Sequence, residues 1–245
     1  SRLRTISKGT IRAPLRRTDI RYTPKRNGYK TTKRAAESPR ADFDKENKMS
    51  NIKEYMRREC DAVQKMTEEC GTQYDEILEV LKACRGKIVF MGVGKSGHIG
   101  KKLAATFAST GTPSIFVHGT EACHGDFGMI LREDVAVLIS NSGKTAEVVQ
   151  DLAGLKAIGC KTVAFTSDPD SPLAQGCAYR LIYPALAEAD HLNLAPTVSS
   201  TLTLVLGDAL ACALSEEKGF TREDFHRSHP KGALGERLLR EKDNG

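Results

Sequence analysis

Five short apolar runs constrain this chain most: 87–91 (KIVFM), 114–117 (SIFV), 135–140 (VAVLIS), 162–166 (TVAFT) and 179–183 (YRLIY). Runs of this length without polar alternation read as strands buried on both faces. Helical stretches are expected between them at 99–109 and at 146–158, the latter closed by Gly159 as a C-cap. A longer helix is expected from about 198 to 217, with Gly219 behind it. Upstream, Ile52, Met56, Val63, Met66, Ile77, Leu78 and Leu81 recur at helical spacing, interrupted near Gly71, which suggests two helices. Strands alternating with helices indicate an α/β fold whose parallel sheet is covered on both faces. No internal repeat and no second globular domain is evident.

The formal charge of +6 is unevenly divided. Residues 1–48 hold 15 Lys+Arg against 5 Asp+Glu, while the remainder carries a net of −4. The first 48 residues hold few large apolar side chains and no sustained period, so they are expected to be disordered. They read as an upstream extension with Met49 as the natural start, ahead of a transit peptide or polyanion-binding arm. The basic pI therefore says nothing of nucleic acid binding by the body, residues 49–245. Seven scattered cysteines without a CxxC pair fit buried thiols in a reducing cytosol. No apolar run approaches the roughly 18–20 residues that span a bilayer, so a membrane protein is not expected.

In a sheet of this kind ligands gather beyond the carboxyl ends of the strands. After the first strand comes 92–100 (GVGKSGHIG), a formal match to GxGxxG. A dinucleotide site also wants an acidic residue near the end of the second strand, and Glu121 comes late; Val89 breaks a Walker A pattern. What remains is a glycine-rich turn bearing Lys95 and Ser96, suited to a phosphate or sugar hydroxyls at a helix N-terminus. After the third strand, Ser140, Asn141, Ser142, Gly143, Lys144 and Thr145 lead into a helix containing Glu147. Four such polar side chains exceed the needs of an ordinary N-cap, which points to phosphate binding. The turn at 166–172 is explained as a capped loop by its two prolines.

Three further settings hold titratable groups: the loop 120–126 with Cys123 and His124, Glu188 in an apolar connection, and His229 before a final helix with core face Leu234, Leu238 and Leu239. A carboxylate in apolar surroundings can serve as a base near neutrality. On sequence alone, a solvated loop carboxylate (Glu188) and a cap or core imidazole (His229) remain the plainer readings. His118, Cys123, His124 and His191 lack the spacing of a structural zinc site.

The runs GVGKSGHIGKKLAATFASTGTPS, VHGTEACHGDFGMI, ISNSG, LAPTVSSTLTLVLGDALACAL and GF-x-x-EDF-x-x-SHP-x-GALG resemble, in order, the D-arabinose 5-phosphate isomerases. The resemblance covers about residues 50–240. It implies the SIS (sugar isomerase) fold, a three-layer α/β/α arrangement around a five-stranded parallel sheet, and a short form lacking CBS domains. It implies interconversion of D-ribulose 5-phosphate and D-arabinose 5-phosphate for KDO synthesis, serving lipopolysaccharide or capsule. Family catalytic positions fall on Lys95, Glu147, Glu188 and His229. Family substrate contacts fall on Gly111, Thr112 and His124. An inhibitory zinc position matches His118, with no cofactor required. The family also implies a cytoplasmic tetramer with shared active sites, and neither a membrane nor a nucleic acid partner for the folded domain. Lys144, Lys231 and the HGTE run at 118–121 depart from the usual residues, which bears on substrate preference.

The mechanism this implies places the 5-phosphate on residues 140–145 and the first glycine loop. His229 assists ring opening, Glu188 (or, with roles exchanged, Glu147) removes a proton, and Lys95 stabilises the enediolate. Two rival readings are a non-catalytic sugar-phosphate sensor and a nicotinamide-dependent oxidoreductase.

Overall fold

The computed structural model describes residues 43–229. Its centre is a five-stranded parallel sheet in the order β2-β1-β3-β4-β5. The strands are β1 (Ile88–Gly92), β2 (Ser114–His118), β3 (Val135–Ile139), β4 (Lys161–Thr166) and β5 (Tyr179–Ile182). Every residue of β1 and β3 is buried, as their unbroken apolar sequences require. Side chains alternate between two cores. Ile88, Phe90, Val137 and Phe165 face α1 (Phe43–Glu68), α2 (Thr72–Lys82), α3 (Gly94–Ser109) and α7 (Val198–Glu217). Val89, Met91, Leu138 and Ala164 face α4 (Gly119–Ala122), α5 (Ala146–Ile158) and α6 (Pro172–Gly176). The expected three layers are thus present. A short helix, α8 (Arg222–Ser228), follows α7, its start fixed by a capping box between Thr221 and Asp224.

Four expectations need correction. Helix α3 begins at Gly94 rather than at residue 99. The glycines read as loop are close-packing positions: a Cβ on Gly97 would lie 3.0 Å from the Gly92 carbonyl oxygen, and one on Gly100 3.0 Å from the Phe116 ring. Helix α1 opens at Phe43, ahead of Met49. The cysteines are free but not buried: Cys60, Cys70, Cys123 and Cys212 are exposed and the other three intermediate. Finally, α7 is long and apolar enough to cross a membrane, with a mean hydropathy of 1.5 over its apolar window. It packs against α1, α2 and α3, with Leu202, Leu206, Leu210 and Leu214 in the core, and that burial accounts for its composition. The expected final helix around Leu234, Leu238 and Leu239, and Lys231, lie outside the described residues, as do residues 1–42.

Candidate active site

The strand order reverses at β1, whose neighbours are β2 on one side and β3 on the other. At such a switch point the loops leaving adjacent strands run in opposite directions and open a crevice. A cavity of about 370 Å³ lies there, lined by Lys95 and Ser96 of α3, Asn141 after β3, Glu188, and Ser199 and Thr203 of α7. One cationic and one anionic side chain, separated by 93 positions in sequence, thus share one cavity.

Glu188 is anchored rather than solvated. Its Oε2 accepts hydrogen bonds from the backbone N–H of Thr197 (2.8 Å) and Ser199 (3.2 Å) and from the Thr197 hydroxyl (3.2 Å). These donors belong to the opening of α7, where orphan N–H groups and the helix dipole favour an anion. The expected apolar setting is therefore replaced by a polar nest. The connection is itself built from side chains: Asn193 Oδ1 accepts from the Glu188 N–H at 2.6 Å, and Asp190 accepts from the N–H groups of Leu192, Leu194 and Ala195. Those bonds hold the Asp190 carboxyl below the usual carboxylate range.

The turn at 140–145 lies beside this cavity, which Asn141 shares. Ser140 is buried and its Oγ lies 2.8 Å from Thr145 Oγ1, so these two hydroxyls brace the turn. Thr145 is the N-cap of α5 yet no side chain caps that helix. The Val148 N–H donates to the Thr145 carbonyl oxygen at 3.1 Å, and without a side-chain cap the Ala146 and Glu147 N–H groups are left for an anion. Ser142 and Asn141 line the turn, and the Ser142 hydroxyl accepts from the Lys144 N–H at 3.2 Å. The neighbouring 166–172 turn is more than a capped loop. The Asn141 carbonyl oxygen accepts from Ser167 N–H (3.0 Å), Ser167 Oγ (2.9 Å) and Thr166 Oγ1 (3.0 Å), and Lys144 pairs with Asp168 at 2.9 Å.

Other expected site residues are placed elsewhere. Glu147 is exposed on the first turn of α5 and does not line the cavity. His124 is exposed in the turn after α4, on the same edge of the sheet but beyond β2. Gly111 and Thr112 precede β2, at the opposite edge: a Cβ on Gly111 would meet the Phe220 ring at 2.3 Å, and Thr112 Oγ1 accepts from Lys218 Nζ at 3.0 Å. His229 caps the C-terminus of α8, its ring stacked on Phe225 at 4.1 Å and its Nδ1 3.0 Å from the Phe225 carbonyl oxygen. Within one chain His229 therefore has the plain role of a cap. At the end of β2, His118 has its Nδ1 2.7 Å from Thr120 Oγ1. Among the described residues no group of three or more His, Cys, Asp or Glu is placed to hold a metal ion.

The sequence reading passed over Asn193, Ser199, Ser200 and Thr203, all of which line the cavity. A signal existed: hydroxyl residues at 199, 200 and 203 recur at helical spacing on a mostly apolar helix. Thr203 also bonds the buried Tyr183 hydroxyl at 3.3 Å, and burial pushes that phenol up to about 12.

A family model described as "SIS domain" matches residues 81–213. The chain is 54% identical over 181 residues to the arabinose 5-phosphate isomerase KdsD of Pseudomonas aeruginosa, covering 74% of this chain and 56% of that protein. It is 49% identical over 179 residues to KdsD of Escherichia coli K12, covering 70% and 55% respectively. The chain thus spans about half the length of the curated relatives it matches. Among solved structures, c3406 of E. coli CFT073 in complex with arabinose 5-phosphate superimposes with a TM-score of 0.74 at 51% identity, covering 76% of this chain and 98% of that one. A sugar-phosphate isomerase homologue of Listeria monocytogenes superimposes with a TM-score of 0.74 at 29% identity, covering 76% and 98%. With more than half of its residues matched by the family model and its fold shared with these structures, the chain belongs to the SIS domain family.

Proposed function

We propose that this chain interconverts D-ribulose 5-phosphate and D-arabinose 5-phosphate through an enediol(ate). The observation that carries the reading is the meeting of Lys95 and Glu188 in one cavity beside the uncapped start of α5. Relatives at 49–54% identity named arabinose 5-phosphate isomerase support the choice of substrate. The phosphate sits against the Ala146 and Glu147 N–H groups at the start of α5, with Ser142 and Thr145 beside it. Glu188 takes the proton from the carbon next to the carbonyl and returns it to the neighbouring carbon, while a hydroxyl proton moves to the former carbonyl oxygen. Lys95 stabilises the charge that develops on the enediolate oxygen, an effect worth a few kcal/mol of barrier in such sites. His229 assists ring opening, and Glu147 orients a hydroxyl or the lysine. The scheme needs no metal, and a zinc ion at His118 would lie outside it. The product would enter KDO synthesis in the cytoplasm, where seven free thiols are at home.

His229, Gly111 and Thr112 complete the site in this reading only if a second copy supplies them. An apolar groove of about 730 Å³ on α1 and α7, with Ile52 and Met56 each more than 60% exposed, offers a surface for such a copy. We therefore include a homo-oligomer with shared active sites in the proposal.

The test is incubation with D-arabinose 5-phosphate in heavy water, following both ketose and deuterium at the carbon next to the carbonyl. Turnover with deuterium incorporation is expected. Tight binding without turnover identifies a sensor instead, and an untouched, unbound pentose phosphate ends the proposal.

A further inference from the structure

Asp151 lies one turn beyond Glu147 on α5, on the face that carries Val148 and Leu155 into the core. It is 1% exposed, and among the described residues neither carboxyl oxygen has a hydrogen-bond partner. A buried carboxyl without partners is costly to ionise, because nothing replaces the water it has lost. Its surroundings are specific. A Cβ on Gly119 would meet Val93 Cγ1 at 3.2 Å, Asp151 Oδ2 at 3.3 Å and Val148 Cγ2 at 3.5 Å. Asp151 therefore sits where three site segments converge: the N-cap of α3 just before Lys95, the opening of α4 just after His118, and α5, whose start forms the phosphate turn.

No charge compensates it. On α5 the titratable groups are Glu147 and Lys156; α4 brings Glu121 and its N-cap His118; α3 brings Lys95, His98, Lys101 and Lys102. The 3₁₀ turn after α4 contributes Asp126, β3 is preceded by Asp134, which pairs with Lys87, and Cys177 follows α6. Burial alone pushes the Asp151 carboxyl up from 3.8 to about 7.

We propose that Asp151 is a proton-operated positioning residue: protonated, it lets the three segments close over α5, and ionised, it forces them apart to admit a hydrogen-bond donor or water. Its influence on the substrate rests on the isomerase reading above, whereas its influence on folding does not. The sign follows from the raised value. The unfolded chain ionises this carboxyl near 3.8 and the folded chain near 7, so stability falls as pH rises between those values and levels off above.

The test compares wild type with Asp151→Asn and Asp151→Leu by thermal unfolding from pH 4 to 9, and by affinity for inorganic phosphate at pH 6 and 8. The folding equilibrium of wild type relative to either variant should fall about tenfold per pH unit between about 4 and 7, then stay constant. Phosphate affinity of wild type should fall several-fold from pH 6 to 8 relative to the variants, whose own titrations cancel the shared background. A constant offset in melting temperature across the whole range would mean a merely structural residue and would overturn the proposal. Should neither variant fold, carbon-13 NMR of the wild-type carboxyl decides: a midpoint near the ordinary aspartate value refutes it. The unfolding and NMR arms need no turnover, so a protein that fails as an isomerase can still pass them.

Discussion

Gly143→Ala tests whether the proposed phosphate turn is rigid by construction. Gly143 has φ +61°, a conformation in which an L-residue costs roughly 1–2 kcal/mol. The new Cβ would stand 2.0 Å from Ser171 Oγ, 2.4 Å from Ser171 Cβ and 2.9 Å from Thr166 Oγ1. Ser171 cannot give way freely: it is fully buried, donates to the Asp168 carbonyl oxygen at 2.7 Å and accepts from the Ala174 N–H at 3.3 Å as the N-cap of α6. Losing that cap costs about 1 kcal/mol, and overpacking a filled site about 1–3 more. The total is roughly 3–6 kcal/mol, which for a domain of this size lowers the melting temperature by about 6–24 °C. Because Gly143 also links Ser140 to Leu173 through its own N–H (3.0 Å) and carbonyl oxygen (3.1 Å), the displaced turn should raise KM for a phosphosugar more than it lowers kcat. Melting followed by circular dichroism measures the first effect and initial rates the second. Adding Ser171→Gly removes the two nearest obstructing atoms, so the double variant should be more stable than the sum of the two single losses, by about 1 kcal/mol or more. A Gly143→Ala protein melting within about 2 °C of wild type, with unchanged KM, would refute the reasoning.

Glu188→Gln retains an acceptor for the α7 N–H groups, so its stability should change by less than about 1 kcal/mol while turnover falls at least about 100-fold; stopped assays and melting curves separate the two. Mixing inactive Lys95→Ala and His229→Ala proteins should restore activity in hybrid oligomers, and no recovery after mixed refolding would show that His229 does not act across copies. Asp134 is buried and accepts from the N–H groups of Lys87 and Leu131 and from Lys87 Nζ, which together hold its carboxyl below the usual range. Its stabilisation is complete above about pH 4 and disappears as pH falls through the lowered folded value. Asp134→Ala should therefore cost about 3–5 kcal/mol at neutral pH, and that cost should shrink as pH falls below about 4, by no more than about 1.4 kcal/mol per pH unit, in denaturant titrations. This slope is opposite to that of Asp151.

The strands and the two long helices after them were legible because each is a local pattern. Unbroken apolar runs, Gly159 behind α5 and Gly219 behind α7 mark their own limits. The start of α3 was not legible, because Gly94 and Gly97 signal a loop until Gly97 is seen packed against the Gly92 carbonyl. Exposure of the cysteines escaped for a similar reason: Cys60 and Cys212 sit on helix faces whose partners a linear pattern does not identify. The turn at 140–145 was legible as an excess of hydroxyls and an amide, but their division of labour was not. Ser140 and Thr145 bond each other, while Ser142 turns back to the Lys144 N–H.

Sequence by itself determined the parallel sheet, its two covering layers and the glycine and hydroxyl turns at the strand ends, since those follow from hydrophobic period and turn chemistry within a few residues. Tertiary structure alone decided that Glu188 rests on the start of α7 and shares a cavity with Lys95, and that Gly111 and Thr112 lie at the opposite edge. It also decided that Asp151 is sealed beneath Gly119 without a hydrogen-bond partner among the described residues. These are contacts between segments far apart in the chain, and their energies depend on distance and solvent exclusion, neither of which is encoded in local spacing.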